Sequence, residues 1–197
     1  MRKLLLEPTI TAQWKALVNE AETKSGQYLG ETLESYVVYL LQRFINKPEL
    51  AQSVLAMDYL HCHECRGKQQ QILLQEVGDK CLLFSGLFPE QAERKHVTIN
   101  YFIEIGQSAY HYLASLSSNK EAIYALFERL GEKFIHLMQL LHSIRTLDGN
   151  LLKLSPLYAE ELWRTTGSPE ALKALQQVTQ ALPVGNNIIH NRTEHIH

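Results

Sequence analysis

The sequence predicts an all-α protein, a multi-helix bundle around a long central helix. Apolar residues recur every three or four positions through most of the 197 residues, as they do on one face of a helix. Helix-capping residues precede several of these stretches, and glycine or proline follows them. The longest apolar stripe, from Asn119 to Leu147, covers so much of its helix that other helices must enclose it. We therefore expect this helix to be the central one.

The N-terminal part of the chain predicts three amphipathic helices. The first is capped by Thr9 or Thr11 and ends at residues 24–26, because glycine adopts the left-handed conformation at little cost. The second covers residues 29–46. The third covers residues 48–67, with a proline in its first turn and a glycine as its stop.

A small three-stranded antiparallel sheet at residues 70–105 is the alternative for the middle of the chain, and it would make the protein α+β. Gly78 and Asp79 lie between two apolar runs and suit a two-residue hairpin turn. Residues 97–105 alternate between apolar and other side chains, which is the period of a strand.

We prefer helices for the same segment. Residues 69–88 suit two short buried helices with Asp79 as the N-cap of the second, and Pro89 suits the first turn of the next helix. The apolar pattern then continues over residues 101–116 at helical spacing with no intervening turn. A further helix is therefore predicted over 101–116.

Two shorter helices and a tail follow the long helix. The polar residues 148–150 end the long helix, and a serine–proline pair opens each of the next two, at 157–165 and 170–182. Residues 184–197 are polar and aperiodic, so we expect a flexible C-terminal tail. The preceding residues 1–183 are predicted to form a single helical domain, since this length suits one core.

The composition excludes several classes of protein. Lysine and arginine number 19 against 21 aspartates and glutamates, and no dense basic patch occurs, so nucleic acid is not expected as a partner. Charged residues interrupt the apolar runs before they reach the length of a membrane span, so no integral membrane segment is expected. Three cysteines and a start without a secretory leader favour the reducing cytoplasm.

Four residues form the candidate metal site. Cys62 and Cys65 have the Cys-x-x-Cys spacing that supplies half of many zinc sites, and Cys81 and His96 are the nearest ligands that complete a tetrahedral set. In the alternative interpretation the cysteines pack as small apolar side chains near a helix end. We predict no cofactor and keep zinc, or iron, as the alternative.

A stripe of polar and aromatic residues on the predicted helix 101–116 is the candidate pocket or docking surface. Glu104 and His111 are seven residues apart and therefore share a face. Glutamate and histidine are costly to bury unpaired, so an inward location implies hydrogen bonding and shifted pKa values. The alternative is a face turned to water or to a partner chain. The candidate residues are Tyr101, Glu104, Gln107, Tyr110 and His111.

Two segments in the middle third of the chain resemble a family of uncharacterised bacterial proteins. The first is GDKCLLFSGLFPE, from Gly78 to Glu90, and the second is Tyr101-Phe102 followed by Gly106 and Ala109-Tyr110. The resemblance implies a bacterial protein and carries no activity with it. The matching positions are Gly78, Asp79, Gly86, Pro89, Tyr101, Gly106 and Tyr110.

Five of the matching positions are expected to form a structural joint. Gly86 and Gly106 permit the close approach of helices, and Pro89 fixes the direction of the chain. Alternatively, the joint forms a cleft or docking surface together with Tyr101 and Tyr110, because aromatic residues suit places with one apolar and one polar side. The joint consists of Gly78, Asp79, Gly86, Pro89 and Gly106.

The sequence favours a non-enzymatic interaction or regulatory protein. It contains no phosphate-binding glycine loop, nucleophile elbow or zinc-protease helix motif, so no catalytic residue is assigned. We expect a protein partner or self-association, for instance as a homodimer. Two alternatives stay open: a metal-binding protein that uses Cys62, Cys65 and Cys81, and a helical bundle that binds a small molecule or lipid beside Glu104.

Overall fold

The described parts of the chain are helical, which confirms the all-α prediction. The computed structural model describes residues 9–45, 55–94, 97–117, 121–147 and 153–178, and no strand occurs in these ranges. The helices in them are α1 (Ile10–Ser25), α2 (Glu31–Ile45), α3 (Leu55–Glu64), α4 (Gly67–Leu87), α5 (Pro89–Arg94), α6 (Ile99–Leu116), α7 (Glu121–Glu132), α8 (Phe134–Arg145), α9 (Pro156–Thr166) and α10 (Pro169–Val178).

Local capping signals set several helix ends as predicted. The side-chain oxygen of Thr9 accepts a hydrogen bond from the Ala12 N–H at 3.2 Å, and Gly26 ends α1 in the left-handed conformation with φ of 67°. Ser155 caps α9, and Ser168 caps α10 in the same way. Each cap satisfies N–H groups that have no partner inside the helix.

Some boundary predictions fall outside the described residues. These are the end of the second helix at 46, the opening of the third at Pro48, the start of the long helix at 119 and its stop at 148–150, the end of the last helix at 182 and the flexible tail at 184–197. The described part of the third helix ends at Glu64, and Gly67 is the first residue of α4 rather than a stop. Its φ of 63° lets the chain turn sharply between α3 and α4.

A single helix, α4, takes the place of both the predicted sheet at 70–105 and the predicted pair of short helices. It continues through Gly78 and Asp79, so the hairpin turn is wrong and Asp79 is not an N-cap. Every residue from 77 to 86 is buried, because α6, α8 and α3 all pack against α4. Tertiary packing thus outweighs the local turn signal.

The strand-like alternation at residues 97–105 belongs to the start of α6. Thr98 caps this helix by accepting a hydrogen bond from the Tyr101 N–H at 3.3 Å. Burial then follows a helical period and not a strand period, since Ile99, Phe102 and Ile103 all face the core. The strand interpretation is therefore wrong here as well.

The predicted central helix at 119–147 is two helices, α7 and α8, with a bend at Lys133. The backbone there has φ of −94° and ψ of 11°. Hydrogen bonds still cross the bend, from the Lys133 N–H to the Arg129 oxygen and from the Leu137 N–H to the Lys133 oxygen, each at 2.9 Å. Residues 137–143 of α8 are all buried, and α4 shares the centre of the bundle with them.

One connected apolar core joins the described helices. It extends from Val18 on α1 to Ala171 on α10, and its largest fully buried side chains include Tyr110 and Phe134. No described helix is both long and apolar enough to cross a bilayer.

Candidate functional site

A buried carboxylate lies where α2, α4 and α6 meet. Asp79, on α4, is 2% exposed. Its Oδ1 atom accepts hydrogen bonds from the hydroxyl of Tyr36 at 2.6 Å and from the hydroxyl of Tyr110 at 2.9 Å. We call the group of interacting side chains the Asp79 cluster, which consists of Tyr36, Arg43, Gln75, Glu76, Asp79 and Tyr110.

One arginine in this cluster forms ion pairs with two carboxylates. Arg43 donates from Nη1 to Asp79 Oδ2 at 2.9 Å and from Nη2 to Glu76 Oε1 at 2.7 Å. Its side chain is 16% exposed, so both hydrogen bonds lie near the protein interior. Because its single positive charge is shared with Glu76, Asp79 receives only part of the compensation that a buried carboxylate needs.

The burial of Asp79 moves its pKa towards neutral pH. Desolvation raises the pKa of Asp79 from 3.8 to about 6, and the hydrogen bonds from Tyr36 and Tyr110 and the charge of Arg43 offset this only in part. Burial also raises the pKa of both tyrosine hydroxyls well above the ordinary value. The tyrosines therefore stay protonated while Asp79 exchanges a proton between mildly acidic and neutral pH.

Helix geometry brings these side chains together. Tyr36 and Arg43 are seven residues apart and share one face of α2. On α4, Gly78 leaves room for the ring of Tyr110, because a β-carbon at Gly78 would lie 2.6 Å from Tyr110 Cε1. The close approach of α4 and α6 at this point places the Tyr110 hydroxyl beside Asp79.

A groove lies next to the cluster, between α4, the end of α6 and the start of α7. Its volume is about 370 Å³, within the range of ligand pockets. We call it the α4–α6–α7 groove. Its apolar lining consists of Ile72, Leu113, Leu116, Ile123 and Phe127, and its polar lining of Lys68, Gln71, Gln75 and Ser117.

Two residues belong to both the groove wall and the surroundings of Asp79. Gln75 donates from Nε2 to the Tyr36 hydroxyl at 3.2 Å. The ring of Phe127 lies 6.2 Å from the Tyr110 ring and 6.3 Å from the Tyr36 ring, measured between centroids. The groove wall therefore contacts both tyrosines that donate to Asp79.

The groove has a positive end. Lys68 is the one ionisable side chain among the described residues that line it, and it forms no ion pair with any of the described residues. It lies in the first turn of α4, where the N-cap residue Arg66 makes no side-chain cap hydrogen bond. The charge of Lys68 and the positive end of the α4 dipole both favour a negative group near the start of this helix.

The stripe predicted on helix 101–116 does not line this groove. Glu104 is exposed and accepts from Asn100 Nδ2 at 2.6 Å, whereas His111 lies 3.3 Å from Glu128 Oε2 on α7. Gln107 donates to the Gly131 carbonyl at 3.2 Å. The stripe thus joins α6 to α7 at His111 and Gln107 and faces water at Glu104.

The two tyrosines named with the stripe have different environments. Tyr110 is completely buried in the Asp79 cluster, on another face of α6 from Glu104. Tyr101 is half-buried and lies edge-on against Phe102, at 5.5 Å between ring centroids. Of the predicted pocket residues, only Tyr110 belongs to the cluster.

The candidate metal ligands are spread over several environments. Cys62 is buried and donates from Sγ to the Asp58 carbonyl at 3.1 Å, while Cys65 is half-buried with its Sγ 3.8 Å from His61 Nε2. Cys81 is buried on α4. His96 lies outside the described residues, and among those described no three metal-binding side chains come together. Zinc binding stays the untested alternative to the prediction of no cofactor.

The glycines of the predicted joint lie at close helix contacts. A β-carbon at Gly86 would lie 2.6 Å from Leu141 Cβ on α8, and one at Gly106 would lie 2.4 Å from Phe134 Cε2. Pro89 opens α5, whose Glu90 forms an ion pair with Arg145 of α8. Asp79, by contrast, forms no turn, and its buried carboxylate accepts hydrogen bonds from α2 and α6.

Sequence reasoning missed most of the site. It did not single out Tyr36, Arg43, Gln75 or Glu76, nor any residue of the groove lining. One usable signal was the aspartate inside a strongly apolar helix, since a buried carboxylate requires donors from other helices. The local sequence pattern does not show which helices supply those donors.

Comparisons with known proteins add no assignment. No protein-family model, curated protein or solved structure matches the chain. Among the described residues, the groove supplies an apolar cleft with a positive end, and the Asp79 cluster supplies a buried carboxyl group whose pKa is raised to about 6.

Proposed function

We propose that the protein is a non-enzymatic binding protein whose α4–α6–α7 groove takes a small amphipathic ligand with an apolar body and one anionic group. The observation that carries this proposal is the groove lining, which combines five apolar side chains with a single charge, that of Lys68. Ligand pockets of this kind are mainly apolar and hold a few polar groups that orient the ligand.

The apolar body has a defined surface to cover. Ile72 is 49% exposed, Leu116 37% and Ile123 39%, and these three side chains form the groove walls on three different helices. Burial of each ligand methylene against them is worth about 0.8 kcal/mol, or roughly a fourfold gain in affinity. Affinity should rise with chain length until the groove is filled.

The lining favours binding over reaction. It contains amide, hydroxyl and ammonium groups but no carboxylate, thiol or imidazole among the described residues. The polar groups of the Asp79 cluster are bonded to one another. Selectivity for an anion follows from Lys68 and from the uncapped first turn of α4.

The proposal is tested by calorimetric titration of the full chain with 1-octanesulfonate, with 1-octanol and with octyltrimethylammonium, which share an apolar chain and differ in charge. We expect saturable binding with the sulfonate tightest. Lys68→Gln should weaken the sulfonate about threefold to tenfold and leave octanol unchanged. Ile123→Glu should abolish sulfonate binding.

Leu157→Glu is the matched control, because Leu157 is 79% exposed on α9, outside the groove. It should bind octanesulfonate like the wild type. Equal binding by Ile123→Glu and Leu157→Glu would overturn the proposal, as would the absence of saturable binding. So would a stable dimer in sedimentation that Ile123→Glu dissociates, because the groove would then hold a second copy of the chain.

A further inference from the structure

We propose that Asp79, Tyr36 and Gln75 form a hydrogen-bond relay that reverses when Asp79 takes up a proton, so that Gln75 changes from an acceptor to a donor towards the ligand in the groove. This regulation rests on the ligand-binding function proposed above. It makes the preference of the groove for an anion dependent on pH.

The ionised state fixes the direction of every hydrogen bond in the relay. A carboxylate only accepts, so the Tyr36 hydroxyl donates a hydrogen bond to Asp79 Oδ1 at 2.6 Å. The Tyr36 oxygen then has lone pairs left, and Gln75 Nε2 donates to it at 3.2 Å. With one N–H of its amide engaged in this way, Gln75 keeps its Oε1 atom as an acceptor, and its side chain lines the groove.

The protonated state cannot keep these directions. A neutral carboxyl carries a proton that needs an acceptor, and the Oδ2 side faces Arg43, which only donates. The oxygens beside Oδ1 belong to the two tyrosines, and Tyr36 is the one that continues to the groove through Gln75. If Asp79 donates to Tyr36, the Tyr36 hydroxyl must donate to another neighbour, and Gln75 is the neighbour that lines the groove.

Gln75 completes the reversal by exchanging its two amide atoms. Its Oε1 atom accepts from Tyr36, and its Nε2 group, with two N–H donors, turns to the groove. Gln75 lines the groove and is half-buried, and the relay requires its amide to rotate there. An anionic ligand then meets a donor where it previously met an acceptor.

The charged and titratable groups around Asp79 support a titration of the carboxyl group itself. Arg43 on α2 stays charged and is shared with Glu76, and both tyrosines stay protonated because burial raises the pKa of their hydroxyls. Burial raises the pKa of Asp79 to about 6. Next along α4, Lys80 is paired with Asp58 of α3 at 2.8 Å.

The contacts of α7 and α8 in this region bring no charged group to the relay. From α7 the contact is the Phe127 ring, which packs on both tyrosine rings. α8 meets α4 further along, where His142 donates from Nε2 to the Ser85 carbonyl at 2.7 Å. Burial lowers the pKa of His142 below its ordinary value, and its hydrogen bond ties the ring to residue 85 and not to Asp79.

The relay is tested with 1-octanesulfonate, whose sulfonate remains ionised from pH 5 to pH 8 and adds no titration of its own. Calorimetric titration of the wild type should show at least a threefold gain in affinity from pH 8 to pH 5, centred near pH 6. Tyr36→Phe and Gln75→Met should each lose this pH dependence. Gln71→Met, at a groove amide outside the relay, should keep it.

Amide NMR of the free protein separates this proposal from the ligand-binding function. The side-chain NH₂ resonances of Gln75 should shift between pH 5 and pH 8 in the wild type and stay constant in Asp79→Asn. A Gln75 signal that does not titrate would overturn the relay, as would pH dependence retained by Tyr36→Phe. Failure of octanesulfonate to bind at any pH, with a titrating Gln75 signal, would overturn the ligand-binding function alone.

Discussion

Gly78 on α4 lies directly against the ring of Tyr110 on α6, so closely that a β-carbon at Gly78 would stand 2.6 Å from Cε1, 2.8 Å from Cδ1 and 2.9 Å from Cζ of that ring. This contact allows the Tyr110 hydroxyl to reach Asp79, the next residue on α4. The glycine is therefore part of the geometry of the Asp79 cluster.

We predict that Gly78→Ala destabilises the protein by about 1–3 kcal/mol, because the added methyl group must displace a buried ring. At an open helical position the same substitution would stabilise by about 0.5–1 kcal/mol. The sign of the change in the free energy of unfolding, measured in urea, decides between the two. Gly26→Ala is the comparison, since nothing lies within 4 Å there and its cost comes from the positive φ alone. A stabilised Gly78→Ala protein would contradict the close contact.

The buried carboxylate predicts an unusual dependence of stability on pH. The pKa of Asp79 is raised from 3.8 to about 6 on folding, so the folded state binds the proton more tightly than the unfolded state does. Its contribution to stability is therefore fully present below about pH 4 and is lost as pH rises through about 6. Since one pKa unit corresponds to about 1.4 kcal/mol, the loss is about 3 kcal/mol.

Urea unfolding from pH 4 to pH 8 measures this contribution as the difference between the wild type and Asp79→Asn. The difference should decline with rising pH and level off above about pH 7. Glu104→Gln, which removes an exposed carboxylate on α6, is the matched control and should show no such decline. A difference that grows with pH would mean that Arg43 and the tyrosines outweigh the desolvation of Asp79.

The three thiols are predicted to differ in reactivity. Cys62 and Cys81 are buried, and burial together with the nearby Asp58 raises the pKa of Cys62 to about 11. Cys65 is only half-buried. Since the thiolate is the reactive form, a disulfide dye should label one thiol quickly and the other two slowly, and Cys65→Ser should remove the fast phase.

The same labelling tests the zinc prediction. One equivalent of zinc that slows labelling of Cys65, together with stoichiometric metal in elemental analysis that Cys62→Ser removes, would establish a metal site. Labelling rates that zinc leaves unchanged, with no metal in the purified protein, would leave the cysteines as packing residues. Ser115→Ala, at an exposed position on α6, is the matched control for Cys62→Ser and should leave the metal content unchanged.

Sequence patterns predicted the helical class and several helix ends because these depend on interactions within one turn. The cap at Thr9 joins residues three apart, and so does the cap at Ser155. The left-handed end at Gly26 likewise needs only its own backbone conformation. Such signals are complete in the local sequence.

Local sequence signals did not predict the helix boundaries that depend on packing between helices. The Gly78-Asp79 pair is a turn signal by composition, yet it lies inside α4 because three helices enclose that segment and bury it. The bend at Lys133 splits a continuous apolar stripe in the same way, with Gly131 two residues earlier packed against the His111 ring of α6. In both places the competing terms come from other helices.

The helical class, the apolar helix faces and the caps at Thr9 and Ser155 follow from residues that are neighbours along one helix. The candidate site, by contrast, depends on the packing of separate helices. Tyr36 and Tyr110 are 43 and 31 residues from Asp79 in the chain, and they meet it because burial of a carboxylate is costly unless distant helices bring donors to it. The groove likewise exists only where α4, α6 and α7 meet.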